Sequence, residues 1–107
     1  MMQILQKISE CEGPIILTGD MNAYPDEAAI DVILKAQNGA FTDATANLTH
    51  TFHGFGRFDS GKKIDYIFTN AKAEPAYIVD DPHENGVYIS DHYPVCALLD
   101  LGENPAI

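Results

Sequence analysis

The amino-acid sequence predicts a single α/β domain in which strands and helices form layers. Three observations predict it: a short apolar run at residues 15–17, an amphipathic stripe after residue 25, and an alternating apolar pattern at residues 63–69. A chain of 107 residues, 46% of them hydrophobic, that mixes strands and helices in this way is typical of one layered domain over residues 1–107.

The first part of the chain predicts helix, strand and helix in that order. Apolar residues at helical spacing in residues 4–8 predict a helix that ends before Gly13. The β-branched run at residues 15–17 predicts a strand buried on both faces. A second helix is expected to begin at residues 25–27, with acidic side chains in its first turn, and to end at residues 38–39. Its predicted apolar stripe consists of Ala29, Ile30, Ile33 and Leu34.

The second part of the chain predicts mostly strands. Residues 41–59 form an irregular, loop-bearing segment with a short strand near residues 49–53. Residues 63–69 alternate in polarity, which predicts a strand with positions 64, 66 and 68 on one face and 65, 67 and 69 on the other. Residues 76–79 and 95–101 predict two further strands.

Charge and cysteine usage exclude some functions. The chain has 16 acidic and 6 basic residues, a formal net charge of −10, so binding along an extended nucleic acid is disfavoured by repulsion. Basic residues in another part of a longer protein would weaken this inference. Cys11 and Cys96 lack any metal or disulfide spacing and are interpreted as small apolar residues.

No stretch of the sequence predicts a membrane anchor. No apolar run approaches the roughly 20 residues that span a bilayer. The first residues resemble neither a signal peptide nor a transit peptide. The chain as written is therefore expected to be cytoplasmic, and secretion of a longer parent protein stays open.

Three polar clusters lie beside apolar strands: Asp20 with Asn22, Asp65, and Asp91 with His92. Each has a local explanation, since Asp, Asn and Ser make turns and Asp65 suits a half-exposed sheet. Together they suit a site at one edge of a sheet. Carboxylate and amide oxygens bind hard cations and histidine transfers protons, so the combination indicates metal-assisted phosphoester hydrolysis.

The motifs that contain these residues resemble a known family. The segments ILTGDMNAYPD, KIDYIF and SDHYPV resemble the GDxN, IDYxF and SDH motifs of the endonuclease/exonuclease/phosphatase superfamily, which has the deoxyribonuclease I-like fold. They occur in the family's order, and TFHGFG resembles a loop common in its bacterial members. The resemblance covers nearly the whole chain.

The resemblance implies a catalytic role for each motif residue. Asp20 would activate or orient the attacking water, and Asn22 would hold the phosphate. His92 would contact the scissile phosphate, with Asp65 orienting the imidazole and favouring its protonated form. Asp91, Asp20 and Asn22 would be ligands of Mg²⁺ or Mn²⁺, which assists in-line attack on a phosphoester.

The resemblance also implies an incomplete domain. The family's fold is a four-layer α/β/β/α sandwich with largely antiparallel sheets, whose N-terminal half carries a metal-binding Asn and Glu and a His-containing strand. Residues 1–12 contain no Asn or His, and their only acids, Glu10 and Glu12, lie at the end of a predicted helix, so residues 1–107 are expected to be the C-terminal half. A half would expose its inner sheet face and self-associate or bind the missing half. The isolated chain is expected to be inactive; the alternative is a non-catalytic module that self-associates or binds a partner.

Two more histidines leave roles open. His50 and His53 are three residues apart, as in a metal pair, but a solvated or substrate-contacting role is favoured in a loop rich in Gly and Thr, and His53 is a candidate substrate contact. Nucleic acids, phosphoinositides, sphingomyelin and small phosphodiesters are all substrates within the family, and the sequence does not select among them.

Overall fold

The structure is a computed structural model and describes residues 2–80, 83–84 and 86–102. Two helices and nine strands lie in these ranges. In chain order they are α1 (Met2–Ile8), β1 (Ile16–Asp20), α2 (Ala28–Gly39), β2 (Thr42–Asp43), β3 (Asp65–Thr69), β4 (Lys72–Ala73), β5 (Tyr77–Ile78), β6 (His83–Glu84), β7 (Val87–Tyr88), β8 (Val95–Cys96) and β9 (Leu99–Asp100).

A three-stranded antiparallel sheet organises the chain, with β3 between β1 and β2. Ile16 pairs with Thr69 at one end of the β1–β3 ladder, and Asp20 pairs with Asp65 at the other end. Residues opposite each other in a ladder lie on the same face of the sheet. The register therefore brings two of the predicted carboxylates to one end of one sheet face.

Helix α2 covers the other face of this sheet. Tyr66 and Phe68 of β3 stack in parallel with ring centroids 5.3 Å apart, and Ile30 and Ile33 of α2 pack on them. The Tyr66 hydroxyl donates a hydrogen bond of 2.7 Å to the carbonyl of Ala23, which fixes the chain between β1 and α2. Burying each large apolar side chain in such a core contributes about 1.5–3 kcal/mol.

The boundaries of α2 agree with the predicted stop but not with the predicted start. Asn38 and Gly39 adopt left-handed backbone angles, φ 58° and 76°, which end the helix as predicted. Residues 25–27 form a turn before the helix, and the Glu27 carboxylate accepts a hydrogen bond from the Tyr24 amide. Ala29 is exposed, so its assignment to the apolar stripe was wrong.

The strand at residues 15–17 is not buried on both faces, which corrects the prediction. Ile16 is 49% exposed, while Leu17, on the other face, packs against the core under α2. β1 is an edge strand, so its side chains on this face are open to solvent, although Ile67 and Thr69 of β3 on the same face are buried. The apolar run identified a strand correctly, but its edge position leaves Ile16 exposed.

The last predicted strand, residues 95–101, is divided into β8 and β9 by a bulge in its partner. The pairs that flank the bulge are Glu74 with Leu98 and Tyr77 with Cys96. Pro75 and Ala76 therefore lie opposite the single residue Ala97. The amide of Ala76 instead donates to the carbonyl of Ala44 at 3.0 Å, which ties this ribbon to the sheet beside β2.

Two further predictions concern the loop and the membrane. The predicted strand at residues 49–53 is reduced to an isolated bridge between Phe52 and His92. Within the ranges described above, no helix combines the length and apolar character needed to cross a membrane.

Candidate active site

Asp20 and Asp65 form the floor of the candidate site. Asp20 is the last residue of β1 and Asp65 the first of β3, and the antiparallel register places them opposite each other. Both side chains lie on the sheet face that α2 does not cover. The strand ends thus place two carboxylates together from positions 45 residues apart in the printed sequence.

His92 lies above these two carboxylates. Its Nδ1 is 2.7 Å from Oδ2 of Asp65, and its Nε2 is 3.6 Å from Oδ2 of Asp20. The ring packs edge-on against Phe52, with centroids 4.9 Å apart. The short bond to Asp65 fixes the ring orientation, so that Nε2 is directed to the Asp20 side of the site.

The surroundings of His92 favour the imidazolium. Partial burial opposes the charge and is the largest single influence on the His92 pKa. The hydrogen bond to Asp65, together with the negative charges of Asp65, Asp91 and Asp20, outweighs it and raises the pKa above its ordinary value of 6.5. The protonated ring donates from Nδ1 to Asp65 and leaves an N–H at Nε2 for an anionic ligand.

Asp20 serves both a turn and the site, through different oxygens. Oδ1 accepts a hydrogen bond of 2.8 Å from the amide of Asn22, whose backbone is left-handed with φ 49°. This is the local turn that the sequence predicted for an Asp-x-Asn segment. Oδ2 remains on the side of His92. Asn22 is exposed next to this carboxylate.

Asp91 lies beside the site rather than within the tight cluster. Its Oδ1 is 3.8 Å from Nε2 of His92, too long for a hydrogen bond but close enough for charge attraction. Its backbone carbonyl accepts hydrogen bonds from the amides of His53 and Gly54 at 2.9 and 3.0 Å. The Ser90 hydroxyl accepts the amide of His92 at 3.1 Å and shapes the turn.

Thr51 is a positioning residue that the sequence analysis missed. The side chain is fully buried, and its Oγ1 accepts hydrogen bonds from the amides of Ile64 and Asp65, both at 3.1 Å. Its carbonyl accepts the amide of Tyr93 at 2.9 Å. One residue therefore holds the backbone on both sides of the Asp65–His92 pair. A lone Thr in a polar loop gives no sequence signal for this role.

The structure separates His50 and His53 from the carboxylates. The amide of Lys62 donates to His50 Nδ1 at 3.1 Å, which leaves the Nε2 proton to donate to the carbonyl of Phe58 at 3.2 Å. His50 thus closes the loop, and neither nitrogen is available to a metal.

His53 is 1% exposed, which corrects the solvated interpretation. Its ring stacks on Tyr88 and packs edge-on against Tyr93, with centroids 5.2 and 4.7 Å away. Nδ1 accepts a hydrogen bond from the amide of Gly56 at 3.3 Å, and Nε2 has no hydrogen-bond partner among the residues that the structure describes. Substrate contact by His53 stays a prediction that this packing does not favour.

The donor set fits part of a site for a hard divalent cation. Within the part of the chain that the structure describes, one group of candidate ligand atoms lies within 4.8 Å of one another, contributed by Asp20, Asp65 and His92. Asp65 is engaged with His92, so Asp20 is the carboxylate of this group that is open to an ion, with Asn22 and Asp91 alongside. Three oxygen-bearing residues are fewer than the roughly six ligands that Mg²⁺ takes.

Comparisons with known proteins agree with this geometry. The sequence model of the endonuclease/exonuclease/phosphatase family matches residues 1–92. The chain is similar to the crystal structure of the endonuclease/exonuclease/phosphatase from Bacteroides vulgatus, with 30% identity and a TM-score of 0.76. That match covers 94% of this chain and 42% of the other, so this chain spans less than half the length of that protein. No curated protein matched the chain.

These findings confirm the predicted α/β fold and the resemblance on which it rested. Enzymes of this family are generally hydrolytic and typically depend on divalent metal ions. The chain belongs to the endonuclease/exonuclease/phosphatase family.

Proposed function

We propose that residues 1–107 supply the C-terminal half of a metal-dependent phosphoester hydrolase. One observation carries the proposal: His92 is held at 2.7 Å by Asp65 while its Nε2 is directed to Asp20, on the sheet face opposite α2. A fixed imidazolium beside an open carboxylate suits a reaction in which an anionic phosphate binds and a water attacks it.

Each residue of the site has a role that follows from its position. The Nε2–H of His92 donates a hydrogen bond to a phosphate oxygen and stabilises the negative charge that develops there. Asp65 is a positioning residue, because it orients the ring and favours its charged form. Asp20 orients the attacking water with the oxygen that the turn leaves free, and exposed Asn22 binds the phosphate through its amide.

Asp20, Asn22 and Asp91 would hold Mg²⁺ or Mn²⁺. When bound, such an ion lowers the pKa of water and neutralises charge on the phosphate. Mg²⁺ loses its hydration shell reluctantly to an incomplete ligand set, so this chain alone is expected to be nearly inert. The missing ligands are expected from a family N-terminal half.

Exposed apolar side chains on the β5–β8 ribbon and on β1 support a binding partner. Tyr77 lies opposite Cys96. Val79 follows Tyr77 by two residues and Leu98 follows Cys96 by two, so both lie on the same face, on either side of this pair. Tyr77, Val79 and Leu98 are all exposed, as is Ile16 on β1. Exposed apolar residues clustered on sheet faces mark interaction surfaces. The partner is an N-terminal half or a second copy of this chain.

The same surface favours a second candidate function, a non-catalytic module that self-associates. Sedimentation at low micromolar concentration tests it, with Leu98→Asp and Tyr77→Asp as variants. Two results together would favour the module. These substitutions would dissociate a dimer, and the chain would not hydrolyse phosphoesters even with an N-terminal half added. A folded monomer would exclude it.

Hydrolysis of a nitrophenyl phosphodiester tests the main proposal. The chain is assayed with Mg²⁺ or Mn²⁺, alone and with a family N-terminal half added in trans. We expect turnover only in the mixture, reduced at least ~100-fold by His92→Ala and by Asp20→Ala. Asp31→Ala, on the exposed side of α2, is the control and should not change the rate. Metal-dependent turnover by the chain alone, lost in His92→Ala, would show that the active site is not divided.

A further inference from the structure

A cleft beside the candidate site has the chemistry of a substrate pocket. It encloses about 300 Å³, at the lower end of the range for small-molecule sites. Its lining consists of Asn22, Tyr24, Phe52, Phe58, Lys62 and Ile64. Asn22 lies at the Asp20 turn and Phe52 packs on the His92 ring, so the cleft opens next to the position proposed for the phosphate.

The walls of the cleft are aromatic. The rings of Phe52 and Phe58 are 5.8 Å apart and tilted by 35°, and Tyr24 and Phe58 are each 38% exposed. Aromatic rings left partly open to solvent beside a polar site bind planar groups by stacking. The loop that carries Phe58 is held by the hydrogen bonds of His50, so this wall is formed before any ligand arrives.

A positive charge lies in the same cleft. Nζ of Lys62 is 4.9 Å from the centre of the Phe58 ring and 3.3 Å from the Tyr24 hydroxyl. No carboxylate of the described residues forms an ion pair with it. Its neighbour Lys63 is buried, 3.6 Å from Asp43, and donates to the carbonyl of Thr45. In a chain of net charge −10, Lys62 is therefore a cation that is available to bind an anionic group of a ligand.

We propose that this cleft binds the nucleobase of a nucleotide whose phosphate lies at His92, with Lys62 contacting that phosphate. The inference rests on the proposed function and adds the class of substrate. A polyol phosphate would gain the charge contact but not the stacking, and a choline phosphate would place its cation beside Lys62. The negative charge of the chain favours a short nucleotide over a long polynucleotide.

Nuclear magnetic resonance titrations of the 107-residue chain test the inference without hydrolysis. Adenosine monophosphate, ribose 5-phosphate and phosphocholine are compared at equal ionic strength. We expect all three to shift His92 through the phosphate, and adenosine monophosphate alone to shift the ring signals of Tyr24, Phe52 and Phe58. The nucleotide should bind at least tenfold more tightly than ribose 5-phosphate, the scale of one stacked base.

Matched variants assign the binding to the cleft. Phe58→Leu should remove most of the preference for adenosine monophosphate, whereas Phe55→Leu, at a 57% exposed ring outside the cleft, should keep it. Lys62→Gln should weaken adenosine monophosphate and ribose 5-phosphate several-fold, whereas Lys72→Gln on β4 should not. The backbone bonds of Lys62 are unaffected by its substitution, so the loop should keep its fold.

Two outcomes separate this inference from the proposed function. Equal affinity for adenosine monophosphate and ribose 5-phosphate, or a preference unchanged in Phe58→Leu, would overturn the nucleobase pocket. Adenosine monophosphate could instead shift the signals of the cleft rings while neither it nor inorganic phosphate shifts the signals of His92. This result would support the nucleobase pocket and overturn the phosphate site.

Discussion

The carboxylate of Asp65 and the imidazole of His92 meet at 2.7 Å, although 27 positions separate them in the chain. Asp65 begins the central strand, and His92 lies in the turn that the buried Thr51 holds against that strand. The pair therefore depends on long-range backbone bonds as well as on its own hydrogen bond. Its electrostatic consequence is the raised pKa of His92.

Removing the charge of Asp65 should lower the His92 pKa. Asp65→Asn keeps the shape of the side chain, but burial then acts on the ring with much less compensation, so the pKa falls. Titration of the His92 ring by nuclear magnetic resonance in the metal-free chain measures this. Asp31→Asn on α2 is the control and should leave the titration unchanged. A pKa equal to or higher than that of the unsubstituted chain would show that the two groups are not coupled.

The stability that His92 contributes should depend on pH. Because the folded-state pKa is raised, the contribution is fully present below the unfolded pKa of 6.5 and is lost as the pH rises through the folded pKa. The difference in unfolding free energy between the unsubstituted chain and His92→Gln should therefore be larger at about pH 5.5 than at about pH 9. Urea unfolding at both pH values measures it. When Asp65→Asn is present in both proteins, the effect of His92→Gln should depend less on pH. An undiminished pH dependence would contradict the coupling of His92 to Asp65.

Thr51→Val should destabilise the protein by about 2 kcal/mol or more. The substitution preserves shape but leaves the amides of Ile64 and Asp65 without the acceptor that each has at 3.1 Å. Thr18→Val, the same change at an exposed position of β1, is the control and should be nearly neutral. Urea unfolding of both variants compares them. Equal effects would mean that the Thr51 hydroxyl does not hold the strand.

Gly56→Ala should cost more than Gly61→Ala. Both glycines have left-handed backbones, φ 85° and 77°, so each alanine incurs a strain of about 1–2 kcal/mol. A Cβ at Gly56 would also overlap the Tyr88 hydroxyl, whereas a Cβ at Gly61 meets open space. The Tyr88 ring stacks on His53 and cannot move without disturbing that contact. Thermal unfolding ranks the two variants, and equal destabilisation would show that the Tyr88 ring yields freely.

The sequence was sufficient for elements whose pattern is local. The alternation at residues 63–69 placed Tyr66 and Phe68 on one face and Asp65 on the other, as the structure has them, and the face of Tyr66 and Phe68 is the one that packs against α2. The residues of the helix stop at 38–39 were also correctly identified. In each case the determining interaction lies within a few residues, so spacing alone carries the information.

Features that depend on distant parts of the chain were not accessible in this way. The composition of the loop around His53 suggested solvent, but Tyr88 and Tyr93 cover the ring from 35 and 40 positions away. The burial predicted for the strand that contains Ile16 assumed a second layer. The proximity of Asp20 to Asp65 follows from strand register, and the turn held by Thr51 adds His92 to them. The motif resemblance suggested this grouping, whereas periodicity could not.

The bulge at Pro75 and Ala76 has a consequence for how relatives of this chain vary in length. Deleting one of the two residues would leave every pair of the ribbon intact, because the remaining one would lie opposite Ala97 in regular pairing. The same deletion within residues 95–100 would turn each later side chain to the opposite face. Evolutionary gaps of one residue should therefore collect at residues 75–76 and be rare in the strand opposite.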